Sequence, residues 1–347
     1  MYERHELVDT FVKAGVECGY EANPDYNGGK QDGFGYYQVT QKDGRRHSAS
    51  KAYLDPVRQR PNLHVEMYAH ARKILFEGKR AVGIDYDVKG ERRTAKAVRS
   101  LIVCAGAVQT PQLLELSGVG DPAVLAEHGV DVVHGLKGVG ENYRDHYAAR
   151  IAWRLHQPIT LNNQTRGLFL VKEAIKYMLT RRGILTWTAG IGHAFVRSRP
   201  ELDTPDCQFF FAHGTFDPNT RKFHREPGMT IGAYQCRPES RGSIHIKSPD
   251  PFVAPAIRPN FLSDPIDQAA LIGALRIART IGDADAFAKY RSHEFHPGKG
   301  CEADDDLLEH ARETGATTYH VMGTCKMGPD TDPMTVVDDR LRVHGLD

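Results

Sequence analysis

Ser100-Leu101-Ile102-Val103-Cys104-Ala105-Gly106-Ala107-Val108-Gln109-Thr110-Pro111-Gln112-Leu113-Leu114-Glu115-Leu116-Ser117-Gly118-Val119-Gly120 is the stretch that decides how this chain folds. Residues 100–106 form a short, continuous apolar run ending in Ala-Gly. An antiparallel strand with one wet face would alternate, whereas a run apolar on both faces suits a central parallel strand covered on each side. Thr110-Pro111 then predicts a helix start, with the threonine as N-cap and proline at the first helical position, where its missing N–H is no loss. The helix is expected over 112–116, and Asp121-Pro122 repeats the device for a helix over 123–128.

Upstream, Leu7, Phe11, Val12 and Val16 recur at helical spacing and predict a helix over 5–18, with no strand in front of it in the opening Met1-Tyr2-Glu3-Arg4. Turn formers fill 23–29, 33–39 reads as extended, and 49–57 as a short helix. Residues 63–67 alternate as a strand does, and 73–76 and 81–86 flank a turn at 77–80, which is a hairpin. From about residue 147 the character changes. A helix is expected over 168–179, with strands at 207–211, 229–236 and 242–247, the last two joined as a hairpin through 237–241. Residues 265–281 and 303–314 read as amphipathic helices, the second opened by Asp304-Asp305-Asp306, which suits a helix N-terminus. The fold class expected is therefore mixed, α/β and α+β: a partial Rossmann-like domain plus a domain with an antiparallel sheet flanked by helices.

The 347 residues suit two domains or one large interleaved one. Lys and Arg number 45 against 44 Asp and Glu, a balance that leaves no overall footprint for nucleic acid or an anionic membrane. No apolar stretch is long enough to span a bilayer, and no signal peptide opens the chain. Cys18, Cys104, Cys207, Cys236, Cys301 and Cys325 show no paired spacing, which reads as reduced thiols in a cytoplasmic protein.

Two motifs invite over-reading. Gly118-Val119-Gly120-Asp121-Pro122-Ala123 matches the dinucleotide fingerprint, but a helical segment leads into it where the fingerprint needs a strand. His293 and His296 are spaced for one helix face, yet Pro297-Gly298 follows at once, and no set of four ligands at zinc spacing exists. No metal is expected. His320 is different: it sits in the Gly-punctuated stretch 319–328, where a histidine held on a loop is a candidate general base, although a packed or surface histidine is the commoner case.

Residues 106–120, with the small residue after Gly106, the Thr-Pro start, the Leu-Leu pair and the closing Ser-Gly-Val-Gly, resemble the second signature of the glucose–methanol–choline (GMC) oxidoreductases, in a form similar to bacterial alcohol and choline dehydrogenases. Gly138-Val139-Gly140-Glu141-Asn142-Tyr143-Arg144-Asp145-His146 is similar to the family's following segment. Tyr319-His320 with Gly323 to Gly328 resembles its catalytic-histidine loop, and 338–345 the stretch after it; residues 31–54 are similar too. The family's leading strand–GxGxxG–helix unit and its final active-site strand find no match, so the resemblance implies a fragment of a longer enzyme. It also implies residues 1–146 as the remainder of an FAD-binding domain, 147–318 as a substrate-binding domain and 319–347 as the return to the FAD domain.

By the same resemblance, the activity is FAD-dependent oxidation of a primary alcohol to an aldehyde, with hydride going to flavin N5 and His320 as the base. Ala71, Ala105, Gly106 and Asn142 are the implied flavin contacts. Ile191 stands where choline-specific members place a carboxylate, and Phe210 where they place a histidine. An uncompensated buried cation is unfavourable, so a neutral alcohol is expected over choline, although aromatic faces offer partial compensation. Choline dehydrogenase proper and a folded, flavin-free inactive fragment remain alternatives. An NAD-dependent dehydrogenase would need a strand-borne GxGxxG that the sequence lacks. The electron acceptor is left open: oxygen, a quinone or a dye.

Overall fold

Seven strands pair antiparallel in the larger sheet of this computed structural model, which describes residues 3–188, 190–217, 220 and 222–347. Met1 and Tyr2 of the opening lie outside the described residues. The chain divides into two units, the first comprising Met1–Leu63, His146–Arg237 and Pro265–Thr318 and the second His64–Asp145, Pro238–Asp264 and Tyr319–Asp347.

In the first unit the sheet runs Gly33–Tyr36, Gly192–Val196, Cys207–Ala212, Gly228–Gln235, Tyr147–Leu155, Arg291–His296, with Ala316–Thr317 also against Tyr147–Leu155. Alternation sets the two faces. Cys207, Phe209 and Phe211 are fully buried, as are Ile231, Ala233, Ile151 and Trp153 on the neighbouring strands. Helices Glu6–Glu17 and Pro265–Asp283 cover that face. The first buries Leu7, Val8, Phe11 and Ala14, and Phe11 stacks on Phe211 with centroids 4.8 Å apart. The second buries Ala270, Leu271, Ala274, Leu275, Ala278 and Ile281. Gly282 closes this contact, because a Cβ there would sit 2.2 Å from the Trp153 ring. Fully burying each of these large side chains stabilises the unit by about 1.5–3 kcal/mol.

In the second unit, strands Ala69–Glu77, Arg80–Val88 and Glu91–Lys96 form an antiparallel sheet. Ile74 from this sheet joins Leu113, Leu114, Val119, Leu136, Val139 and Val336 in one apolar cluster. Ser117 ties helix to sheet by accepting the Ile74 N–H at 2.8 Å.

Several expectations are corrected. Residues 100–105 are no strand: Leu101 and Val103 pack on the cluster while Ile102 is 82 % exposed, and no strand among the described residues pairs with them. A parallel strand exists only through its neighbours' hydrogen bonds, and apolar content alone does not provide them. The helix begins at Gly106, not after Thr110, and runs to Leu116 with Pro111 in its interior. The strand expected at 63–67 is absent, those residues being irregular, and the first strand here is the hairpin strand Ala69–Glu77, which starts four residues before its expected bound. Residues 49–57 form a π-helical turn, Ser50–Leu54, followed by a 3-10 turn, Asp55–Val57. Residues 237–241 do not join a hairpin: Gly228–Gln235 pairs within its own sheet, and Ser243–His245 pairs with Ala256–Arg258. Residues 293–296 lie in strand Arg291–His296, so helical spacing says nothing about them. The fold class is mixed α and β, with antiparallel sheets and helices.

Candidate active site

The loop 319–328 in the second unit is fastened to the segment 140–145. Arg144 and Met322 exchange backbone hydrogen bonds, N–H to carbonyl, at 3.0 and 2.9 Å, and Gly140 N–H donates to the Thr324 carbonyl at 2.9 Å. The Asn142 side-chain amide donates to the Gly323 carbonyl at 3.2 Å. Gly323 is required there, since its φ is +92° and a Cβ would lie 2.3 Å from the Asn142 carbonyl oxygen. Asn142 itself adopts φ +57°, a conformation asparagine tolerates better than most residues.

Asp145 holds the histidine's own peptide. It is 2 % exposed, and its Oδ1 accepts the His320 N–H at 2.8 Å while Oδ2 accepts the Tyr143 hydroxyl at 3.1 Å. Burial, reinforced by the adjacent carboxylate, pushes the Tyr143 phenol well above its ordinary value, so it remains a neutral donor. Tyr319, just before the histidine, is in the left-handed region at φ +62°. Such a conformation in a bulky residue costs about 1–3 kcal/mol and persists only where the surroundings enforce it. The His320 side chain is exposed.

The same loop reaches the start of helix Gly106–Leu116. Pro111 has no N–H to give the Ala107 carbonyl four residues earlier. The Thr324 hydroxyl donates to that carbonyl instead, at 2.6 Å, and Thr324 is 1 % exposed. The interior proline is thus tolerated because a hydroxyl from the histidine loop replaces its missing donor. Ala105 at the N-cap offers no side-chain cap, and Gly106, at φ +78°, has open space where a Cβ would stand. Hydrogen bonds therefore tie the segments of His320 and Asn142 together, and Thr324 links their loop to Ala107 in the first turn of the helix, next in sequence to Gly106 and Ala105. Ala71 lies outside this connection: it is exposed, opposite Tyr86 in strand Ala69–Glu77, at a register shift before Lys73.

Sequence reasoning assigned no role to Asp145 and missed a buried charge cluster. Glu115 is fully buried; its Oε1 meets His245 Nδ1 at 2.6 Å and its Oε2 accepts the Ile246 N–H at 2.7 Å. His245 Nε2 meets Glu141 Oε1 at 2.9 Å. The hydrogen bond to Glu115 raises the His245 imidazole above its ordinary value, and burial opposes this less strongly. A glutamate between Leu114 and Leu116 on a buried helix face was the available signal.

In the first unit, Phe210 lies on the sheet face opposite the helices. Gly232 makes room for it, as a Cβ there would sit 2.0 Å from the ring, and the Arg150 guanidinium lies 5.6 Å from the ring centroid. Ile191 is buried. His193, opposite Phe210 in register, is fully buried, and burial pushes its imidazole down to about 4. Among the described residues, no group of three or more His, Cys, Asp and Glu could hold a metal ion.

Comparison with known proteins gives these residues a context. Two family profiles, both described as GMC oxidoreductase, match residues 1–148 and 238–347. The chain is 41 % identical over 346 residues to an alcohol dehydrogenase [acceptor] of Pseudomonas putida, covering 98 % of this chain and 62 % of that protein. It is 38 % identical over 344 residues to an oxygen-dependent choline dehydrogenase of Chromohalobacter salexigens, covering 99 % and 61 %. Among solved structures, a pyridoxine 4-oxidase from Mesorbium loti matches with a TM-score of 0.86 at 25 % identity, over 99 % of this chain and 64 % of that one. The chain thus spans a little over three fifths of the relatives it matches.

Proposed function

The chain belongs to the GMC oxidoreductase family, and from that premise we propose that the protein oxidises a primary alcohol to an aldehyde, with FAD as cofactor and His320 as general base. The observation that carries this reading is the anchoring of His320: a peptide fixed by a buried carboxylate, a strained residue before it and an exposed imidazole.

The residues present fit a flavin. An uncapped helix start with a glycine facing open space offers N–H donors and close approach. Ala105, Gly106 and Asn142 would hold the ring region, and the backbone of Ala71 the adenine end. When bound, the flavin supplies the acceptor for the hydride that leaves the carbinol carbon. His320 accepts the hydroxyl proton at a ring nitrogen, which favours the developing carbonyl. Asp145 and Thr324 keep the loop in place for that transfer.

For the substrate we favour a neutral primary alcohol. Ile191 is apolar and buried, and the Phe210 ring already has a cation, Arg150, over it. Both arrangements disfavour a second, quaternary cation. The Pseudomonas relative's name accords with an alcohol.

The test is steady-state kinetics on the protein with FAD supplied, across aliphatic alcohols, aryl alcohols and choline. His320→Gln is expected to lower kcat/KM by about 10²–10⁴ with an unchanged circular dichroism spectrum. A loss under about tenfold overturns the base assignment, and a strong preference for choline overturns the substrate assignment.

A further inference from the structure

Helix Gly167–Thr180, in the first unit, buries none of its residues. Its apolar side chains point outward, with Leu168 86 %, Met178 71 % and Leu179 80 % exposed, and Val171 and Ile175 exposed as well. Positions 168, 171, 175, 178 and 179 share one helical face, the spacing that normally turns a stripe toward a core. Here the stripe faces away from the unit's own core, and Leu185 beyond the helix is exposed too.

Cations lie along one edge of this stripe and at the helix's C-terminal end. Lys172 and Lys176 lie on the helix, and Arg181 and Arg182 follow its end. Arg45 and Arg46 come from the neighbouring hairpin, whose Gly44 packs so closely that a Cβ would lie 2.2 Å from the Arg181 carbonyl oxygen. The nearby acids are Glu173, which accepts the Ile184 N–H at 3.2 Å, Glu3, which pairs with Lys176 at 3.5 Å, and Asp43. With Lys42 of the same hairpin, seven cations stand against three carboxylates, a local excess in a chain whose net charge is only +1. Among the described residues, no helix is long and apolar enough to cross a membrane.

We propose that helix Gly167–Thr180 docks the protein on an anionic lipid bilayer surface. It would lie in the interface plane, with Leu168, Val171, Ile175, Met178 and Leu179 among the upper acyl chains and the cations at its edge and end against the headgroups. An outward apolar stripe with Lys and Arg along one edge and at its end is complementary to that layer. Charge selects this occupant over a second copy of the chain, since two such faces would bring like cations together. The inference does not rest on the alcohol-oxidising reading.

Co-sedimentation of the protein with vesicles tests it. Binding is expected to vesicles of phosphatidylcholine doped with phosphatidylglycerol, to weaken with added salt, and to be much poorer with phosphatidylcholine alone. Leu179→Glu lowers the affinity at least about tenfold. Lys172→Glu and Arg182→Glu each lower it at least about fivefold on the anionic vesicles. These side chains are exposed, so folding is not at stake. Tryptophan emission gives a second readout: a Leu168→Trp variant shifts to the blue on anionic vesicles, whereas Val98→Trp, at a 92 % exposed position in the other unit, does not. The proposal is overturned by wild-type protein that stays in the supernatant, by equal binding to both vesicle types, or by equal shifts at positions 168 and 98. Self-association in sedimentation velocity that Leu179→Glu abolishes would overturn it in favour of a second copy.

Discussion

Replacing Thr324 with valine should destabilise the second unit by about 1–2 kcal/mol, because it strips the Ala107 carbonyl of the donor that stands in for Pro111. Valine keeps the shape and loses only the hydroxyl. The hydroxyl is 2.6 Å from its acceptor on a residue 1 % exposed, so water does not replace it from the threonine side. Ala107 is half-buried, which lets solvent reach its carbonyl in part and keeps the expected cost below the full range of about 1–3 kcal/mol for an orphaned buried group. The assay is equilibrium urea unfolding, reading the midpoint at constant slope. The decisive arm is a double-mutant cycle with Pro111→Ala. Alanine restores an N–H at position 111 that reaches the Ala107 carbonyl within the helix, so Thr324→Val should cost less than half as much in that background. The coupling expected is about 1 kcal/mol. An effect under about 0.5 kcal/mol in the wild type, or the same effect in both backgrounds, refutes the account of how this helix accommodates its proline.

Two further predictions concern buried histidines. His245→Ala leaves the fully buried Glu115 with only the Ile246 N–H and should cost about 3–5 kcal/mol in urea unfolding. Because the folded-state value of His245 is raised, its contribution is complete below the ordinary imidazole value of 6.5 and fades as pH rises through the raised value. The gap between variant and wild type should therefore narrow toward alkaline pH, and a gap that widens contradicts the assignment. His193 runs the other way. Its folded value is pushed down to about 4, so the unfolded chain binds a proton between pH 6.5 and 4 that the folded chain refuses. Stability should fall over that window by up to about 1.4 kcal/mol per pH unit, and His193→Leu should flatten this acid limb; an unchanged limb argues that the buried imidazole is protonated.

Much of the fold was legible where the signal is periodic and local. The helices Glu6–Glu17, Gly167–Thr180, Pro265–Asp283 and Asp304–Thr314 lie within a few residues of their expected bounds, as does the hairpin of Ala69–Glu77 with Arg80–Val88. The failures share a cause. The run 100–106 had the composition of a buried strand, but a strand is a relation between chains, and composition does not supply the partner. Thr110-Pro111 had the form of a helix start, but Gly106–Leu116 runs through it because a distant hydroxyl answers the proline.

Residue order alone set the periodic faces of the helices, the turn between the hairpin strands and the family membership read from residues 106–120, 138–146 and 319–328. Tertiary structure alone decided that Asp145 grips the His320 peptide, that Thr324 completes a hydrogen bond 217 residues away, and that His245 bridges the buried Glu115 and the half-buried Glu141. The physical reason is one of range. Side-chain periodicity is written into adjacent residues, whereas satisfying a buried donor or acceptor depends on whichever distant group the folded chain brings within about 3 Å.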